Sequence, residues 1–117
     1  MLYRFWNSIR HAFRGLRFVW KEELNFRIQT CIAICLCLFM IGFAFSAMEA
    51  VIIILTILLV LGAEIFNTLL ENALDVVQPD HHVSVGKMKD MMAGVVLLLS
   101  VGAVVIGGLV VVQHFLQ

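Results

Sequence analysis

The sequence predicts an all-α membrane protein, an amphipathic surface helix followed by three transmembrane helices. Three observations carry that expectation. Residues 28–48, 50–70 and 91–112 form three apolar runs; each is about 20 residues long, which at about 1.5 Å rise per residue crosses a hydrocarbon layer about 30 Å thick. Of the 117 residues, 62% are hydrophobic and 14% charged, with a mean hydropathy of +1.04. A soluble domain of that size would lack the polar surface to cover such a core. The third observation is the placement of charge. The net charge is zero, yet Arg4, Arg10, Arg14, Arg17, Lys21 and Arg27 all precede or open the first run, and Lys87 and Lys89 lie between the second and third. Basic residues stay on the cytoplasmic side. The N-terminus and the 76–90 loop are therefore expected in the cytoplasm, with the 46–50 tip and the C-terminus across the membrane.

The elements follow in order. Residues 3–21 read as the surface helix: Phe5, Ile9, Phe13, Leu16 and Trp20 recur at helical spacing, while Arg10, Arg14, Arg17 and Lys21 take another side. That pairing suits a helix lying on an anionic leaflet. The run at 28–48 is too long, and the basic region before it too extended, for a cleaved signal peptide, so the segment is expected to be retained. Its three cysteines, Cys31, Cys35 and Cys37, read as small packing residues rather than metal ligands or a disulfide. "SAMEA" forms the tip, and span two runs on beyond the membrane. "VQPDHHVSVG" holds the one proline and reads as a loop. Span three carries "GAVVIGG", whose small residues permit close helix contact. Nothing repeats, and residues 1–117 read as a single domain.

The stretch "AEIFNTLLENALD" (63–75) is the chemical signal. Glu64, Asn67, Glu71 and Asp75 are spaced i, i+3, i+7, i+11, one face of a helix. Glu64 lies about 20 Å into span two, where a carboxylate costs about 2.5–3.5 kcal/mol by insertion scales and faces a partner or the bundle interior. Mg²⁺ takes hard oxygen ligands, one or two carboxylates plus substrate phosphates; Glu23 and Glu71, both at the cytoplasmic boundary on different helices, supply such a pair. Phosphoryl transfer also needs a cation on the phosphates and a group to receive the acceptor's proton. Lys89 fits the first role and Glu64, deeper toward lipid, the second. Neither a Walker P-loop nor a kinase glycine-rich loop is present.

Taken together, "NFRIQ" (25–29) just after Glu23, "AEIFNTLLENALD" and "GKMKDMMAG" (86–94) resemble the prokaryotic diacylglycerol kinase family, which includes undecaprenol kinases. The family pattern is a Glu before Asn-Phe-Arg, then Glu-x-x-Asn-[Thr/Ser]-x-x-Glu-x-x-x-Asp, then Lys-Asp heading the third span; the resemblance covers essentially the whole chain. It implies a small homotrimeric kinase of the bacterial cytoplasmic (inner) membrane, using MgATP to phosphorylate a membrane lipid alcohol at the cytoplasmic interface. By resemblance, Glu64 matches the catalytic base, Glu23 and Glu71 the Mg²⁺ carboxylates, and Lys89 the phosphate-contacting lysine. Asn67, Asp75 and Asp90 match polar residues shaping the site, Asp90 beside the nucleotide. Arg4 and His82 fall in register with nucleotide-site residues, Arg4 and Arg10 being read equally as lipid anchors. His81 and His114 are left as interfacial polar residues. "KEELNFRIQ" leans toward the undecaprenol branch over the diacylglycerol branch. Met91-Met92, where members usually keep a small residue, leaves the lipid-facing pocket open to reshaping. Two other classes fit less: a transporter or channel using Glu64 as a relay leaves Glu23, Glu71 and Lys89-Asp90 unexplained, and a passive assembly subunit leaves the stripe without purpose.

Overall fold

A computed structural model of the chain describes every residue except His81. The described residues form four helices: α1 (Leu2–Glu22), α2 (Leu24–Gly42), α3 (Ala47–Val77) and α4 (Val83–Leu116). The last three are long and apolar enough to cross a membrane, and the chain is a membrane protein. Each apolar helix answers its own backbone hydrogen bonds, which is what hydrocarbon demands of a spanning segment.

One residue separates the surface helix from the first span. Glu23 is extended (φ −115°, ψ 110°), its N–H still donating to Val19 O at 2.9 Å and its own carbonyl accepting from Arg27 N at 3.3 Å. The chain therefore turns sharply at Glu23 without leaving backbone groups unpaired. The residues of α1 from Ala12 to Val19 lie against Ile65, Thr68, Leu69 and Asn72 of α3 around a cavity of about 310 Å³. Val19 is buried there, whereas Phe5 and Phe13 are left bare of protein, the lipid-facing side of an amphipathic helix.

The membrane-spanning part is organised on α3. Phe26, Ala33 and Met40 are the buried residues of α2; their spacing of seven makes one stripe along that helix. On α3 the buried set is Ile53, Ala63, Glu64 and Thr68, with Ile53 fully enclosed. No residue of α4 is buried, although α4 packs along α3 more extensively than any other pair of helices. The ends of α2 and α4 meet through Phe39, Phe43 and Phe115, with ring centroids 5.3–6.0 Å apart. Above that contact they stand apart and leave a slot of about 580 Å³ over α3.

Two boundaries differ from expectation. The first span closes at Gly42, not at residue 48, and the turn occupies residues 43–46. Ser46 explains it: its hydroxyl accepts from Glu49 N (3.2 Å) while the Glu49 carboxylate accepts from Ser46 N (2.8 Å). This reciprocal capping box starts α3 at Ala47 and forces the reversal upstream. Ala44 absorbs the bend at φ 52°, a left-handed value that costs a residue with a Cβ some strain. At the other end the loop shortens to residues 78–82, because His82 caps α4, its Nδ1 accepting from Ser84 N at 3.1 Å. His81 lies outside the described residues.

His114 turns out to be more than an interfacial polar residue. Its Nε2 is 3.0 Å from the Phe43 carbonyl, its Nδ1 is 3.0 Å from Glu49 Oε2, and its ring stacks on Phe45 at 3.9 Å. The side chains of His114 and Glu49 are only 19% and 18% exposed. This clasp fastens the end of α4 to both the 43–46 turn and the start of α3. The three cysteines are free; Cys31 and Cys35 are exposed on α2 and Cys37 is half-buried, so within one chain they are not enclosed packing residues.

Loss of the Ser46 cap should cost about 1 kcal/mol, and loss of the clasp more, because His114→Ala removes contacts to two elements at once. Thermal unfolding in detergent, followed by circular dichroism, should give midpoints in the order parent, Ser46→Ala, His114→Ala. An unchanged midpoint for His114→Ala would show the clasp to be incidental.

Candidate active site

The polar stripe sits at the end of α3 that α1 and the 78–82 loop share. Its deepest member, Glu64, is 2% exposed. Glu64 Oε1 accepts from Gln29 Nε2 at 2.9 Å across the α2–α3 contact, and one turn on, the Thr68 hydroxyl donates to the Glu64 carbonyl at 3.1 Å. Thr68 is as buried as Glu64. Glu71 follows two turns after Glu64, about 10 Å nearer the membrane surface. Glu23, fixed at the α1–α2 bend, is half-buried like Glu71. Both lie within electrostatic reach of Glu64, so three carboxylates, two on α3 and one at the bend, share one neighbourhood.

Three shielded side-chain atoms on α2 and α3 have no partner among the described residues: Arg27 Nε, Gln29 Oε1 and Asn67 Oδ1. Buried polar atoms are nearly always hydrogen-bonded, and of these three residues Gln29 is the one in direct contact with the buried carboxylate. Among the described residues no three of His, Cys, Asp or Glu stand close enough to hold a metal ion unaided. Mg²⁺ carried on substrate phosphates keeps water and phosphate ligands and needs only one or two protein carboxylates, not an all-protein cage.

Other expected site residues are placed less centrally. Lys89 Nζ donates to Asp75 Oδ1 at 2.6 Å, joining α4 to the end of the stripe, with side chains 34% and 61% exposed. Asp90 is exposed next to it, and His82 is exposed at the start of α4. Arg4 is exposed near the far end of α1, about 28 Å along the helix from Glu23; the fold of one chain does not bring it to the carboxylates. Sequence reasoning overlooked Gln29, Thr68 and Arg27. For Gln29 a signal existed, since a lone amide entering an apolar run calls for a partner. Thr68 lies four residues after Glu64, on the stripe itself.

The sequence profile of the Prokaryotic diacylglycerol kinase family matches residues 10–111. The chain belongs to that family. Its relatives in this kinase family include the undecaprenol kinase of Bacillus subtilis, 32% identical over 111 residues, covering 93% of this chain and 89% of the relative. A diacylglycerol kinase of Synechocystis sp. is 30% identical over 111 residues; the match covers 94% of this chain, which spans 63% of that relative's length. The diacylglycerol kinase of Escherichia coli is 27% identical over 105 residues, covering 90% of this chain and 86% of that one. Kinase-family membership makes the buried carboxylate and its neighbours the region to test for lipid phosphorylation.

The Asp75–Lys89 pair is exposed, and such pairs contribute about 0–1 kcal/mol. Asp75→Asn is therefore expected to leave the thermal midpoint in detergent nearly unchanged. A large drop would mean that the pair braces α3 against α4 and is not simply part of the site.

Proposed function

We propose that the chain is an MgATP-dependent lipid kinase that phosphorylates a membrane lipid alcohol at the cytoplasmic interface, with a polyprenol such as undecaprenol preferred to diacylglycerol. The observation that carries the reading is Glu64, a carboxylate 2% exposed within an apolar helix, heading a stripe that reaches Glu71 at the boundary. Orientation follows from charge: α1, Lys87 and Lys89 share one end of the bundle, and the other end, with the 43–46 turn and the C-terminus, has no Lys or Arg among its described residues. Basic residues favour the cytoplasm.

In this reading Glu23 and Glu71 hold Mg²⁺ with the nucleotide, and the ion, when bound, offsets charge on the phosphate oxygens. Lys89 exchanges Asp75 for those oxygens, a short move for an ammonium already one-third exposed. Asp90 and His82 border the nucleotide, and Asn67 offers its unpartnered Oδ1 to bound ligand or water. Arg4 reaches a nucleotide from the neighbouring copy of a homotrimer, consistent with its distance from Glu23 along α1. The lipid hydroxyl oxygen attacks the γ-phosphorus, the bond to the ADP oxygen breaks, and the hydroxyl proton passes to Glu64. The products are a lipid monophosphate and ADP.

The preference for a polyprenol rests on the slot. It is lined by hydrocarbon apart from Gln29, Thr56 and Ser100, and the Thr56 hydroxyl already donates to Ile53 O at 2.7 Å. Diacylglycerol would carry two ester carbonyls into this lining, where the Ser100 hydroxyl could meet one of them and an unmet acceptor is costly. A polyprenol carries none.

Transfer of labelled phosphate from MgATP, in mixed micelles containing undecaprenol or diacylglycerol, tests this. Labelled lipid should form with undecaprenol at the higher kcat/KM and vanish with EDTA. Glu64→Gln should lower kcat about 10²–10⁴-fold with the KM for MgATP little changed, whereas Glu71→Gln should raise that KM. Turnover retained in Glu64→Gln would remove Glu64 from its role, and label in neither lipid would overturn the reading.

A further inference from the structure

Gln29 is the polar side chain in direct contact with Glu64 for which the mechanism above has no use. It lies six residues beyond Glu23, about 9 Å deeper along α2. Its Nε2 donates to Glu64 Oε1 at 2.9 Å, the one side-chain hydrogen bond that the Glu64 carboxylate makes among the described residues. That bond ties the facing of the amide to the charge on Glu64. With Glu64 ionised, as its role as base requires, the NH₂ group points to Glu64 and the amide oxygen points away. The amide oxygen is shielded from solvent and has no partner among the described residues, and Gln29 lies at the head of the slot.

We propose that Gln29 is a positioning and acceptor-selecting residue for phosphoryl transfer. The proposal rests on Glu64 being the base. The Gln29 N–H pins one oxygen of the Glu64 carboxylate and leaves the other free for the hydroxyl proton. In a site shielded from water an unpinned carboxylate would sample several rotamers, and few of them would face the attacking oxygen. The Gln29 carbonyl acts on the other side. It is an acceptor at the entrance to an apolar slot, so an ester carbonyl arriving there meets a second acceptor and no hydrogen lies between them. The desolvation cost of both groups then stands uncompensated. The carbon next to the hydroxyl of a polyprenol presents only C–H groups, which an amide oxygen tolerates or weakly attracts. One amide thus orients the base and disfavours the diacyl acceptor.

The test compares Gln29→Met, similar in length but without donor or acceptor, with Gln29→His, whose ring carries an N–H on one side and a lone-pair nitrogen on the other. Each is assayed with undecaprenol and with diacylglycerol, beside Glu64→Gln. Gln29→Met should lower kcat with undecaprenol roughly ten- to a hundredfold, the reach of one hydrogen bond to a charged group. The KM for MgATP should stay unchanged, and the ratio of kcat/KM for undecaprenol over diacylglycerol should fall toward one. Gln29→His should recover most of the rate and the ratio. A merely structural glutamine would move neither the ratio nor its rescue. If Glu64→Gln is inactive while Gln29→Met works at the parent rate, the Gln29 role is overturned and the base assignment survives. If Glu64→Gln itself turns over, the base assignment fails and the Gln29 role with it. Should Gln29→Met not fold in detergent, a folded Gln29→His that loses rate and selectivity overturns the proposal.

Discussion

A carboxylate placed below the membrane surface must be met by a donor, because neither lipid nor a packed helix face will solvate it. In this chain the donor is a glutamine on another helix, 35 residues away, and much of the architecture is arranged around that meeting. The contact sets how far α2 may slide along α3. It lies between Phe26 and Ala33, two of the three buried residues of α2, so the apolar stripe and the polar bond require the same register. Lipid tails are as apolar as the side chains they would replace, so association of spans draws little from the hydrophobic effect and depends on packing and on such bonds. A polar pair and a stripe of three buried residues are thus enough to place α2, and the bend at Glu23 then places α1.

The parts of this design visible in the sequence are those with short periods. The stripe from Glu64 to Asp75, the amphipathic first helix and the three apolar runs all repeat within a few turns, and the helices formed where the pattern put them. The end of the first span was misplaced, although its cause is also local: Ser46-Ala-Met-Glu49 has the spacing of a capping box but lies inside a run whose hydrophobicity masked it. The pairings that define the site are of another kind. Gln29 with Glu64, Lys89 with Asp75, and His114 with Glu49 are separated by 35, 14 and 65 residues. No periodicity reports them; they follow from how three helices are stacked. Arg4 shows the converse, since its register with a motif says nothing of the length of helix between it and the carboxylates.

Exposure has a different meaning in such a chain. Leu97, Leu98, Val104 and Leu109 of α4 would be liabilities on a soluble protein, yet here they are 66–75% exposed and suited to hydrocarbon. The informative residues are the reverse, polar groups that the protein itself encloses. Glu64 and Thr68 are the enclosed pair, and both belong to the polar stripe of α3.

α3 is a single uninterrupted helix of 31 residues, about 46 Å from end to end, longer than hydrocarbon about 30 Å thick. It is held at its N-terminal end by the Ser46 cap and the His114 clasp, and it bears the polar stripe toward its other end. Such a strut responds to the thickness of its bilayer mainly by tilting. Tilt carries Glu64, Asn67 and Glu71 as one rigid set, changing the depth at which they meet the headgroup layer without changing their spacing. The thickness of the membrane thereby bears on the depth of the candidate site, through lipid composition and without any ligand.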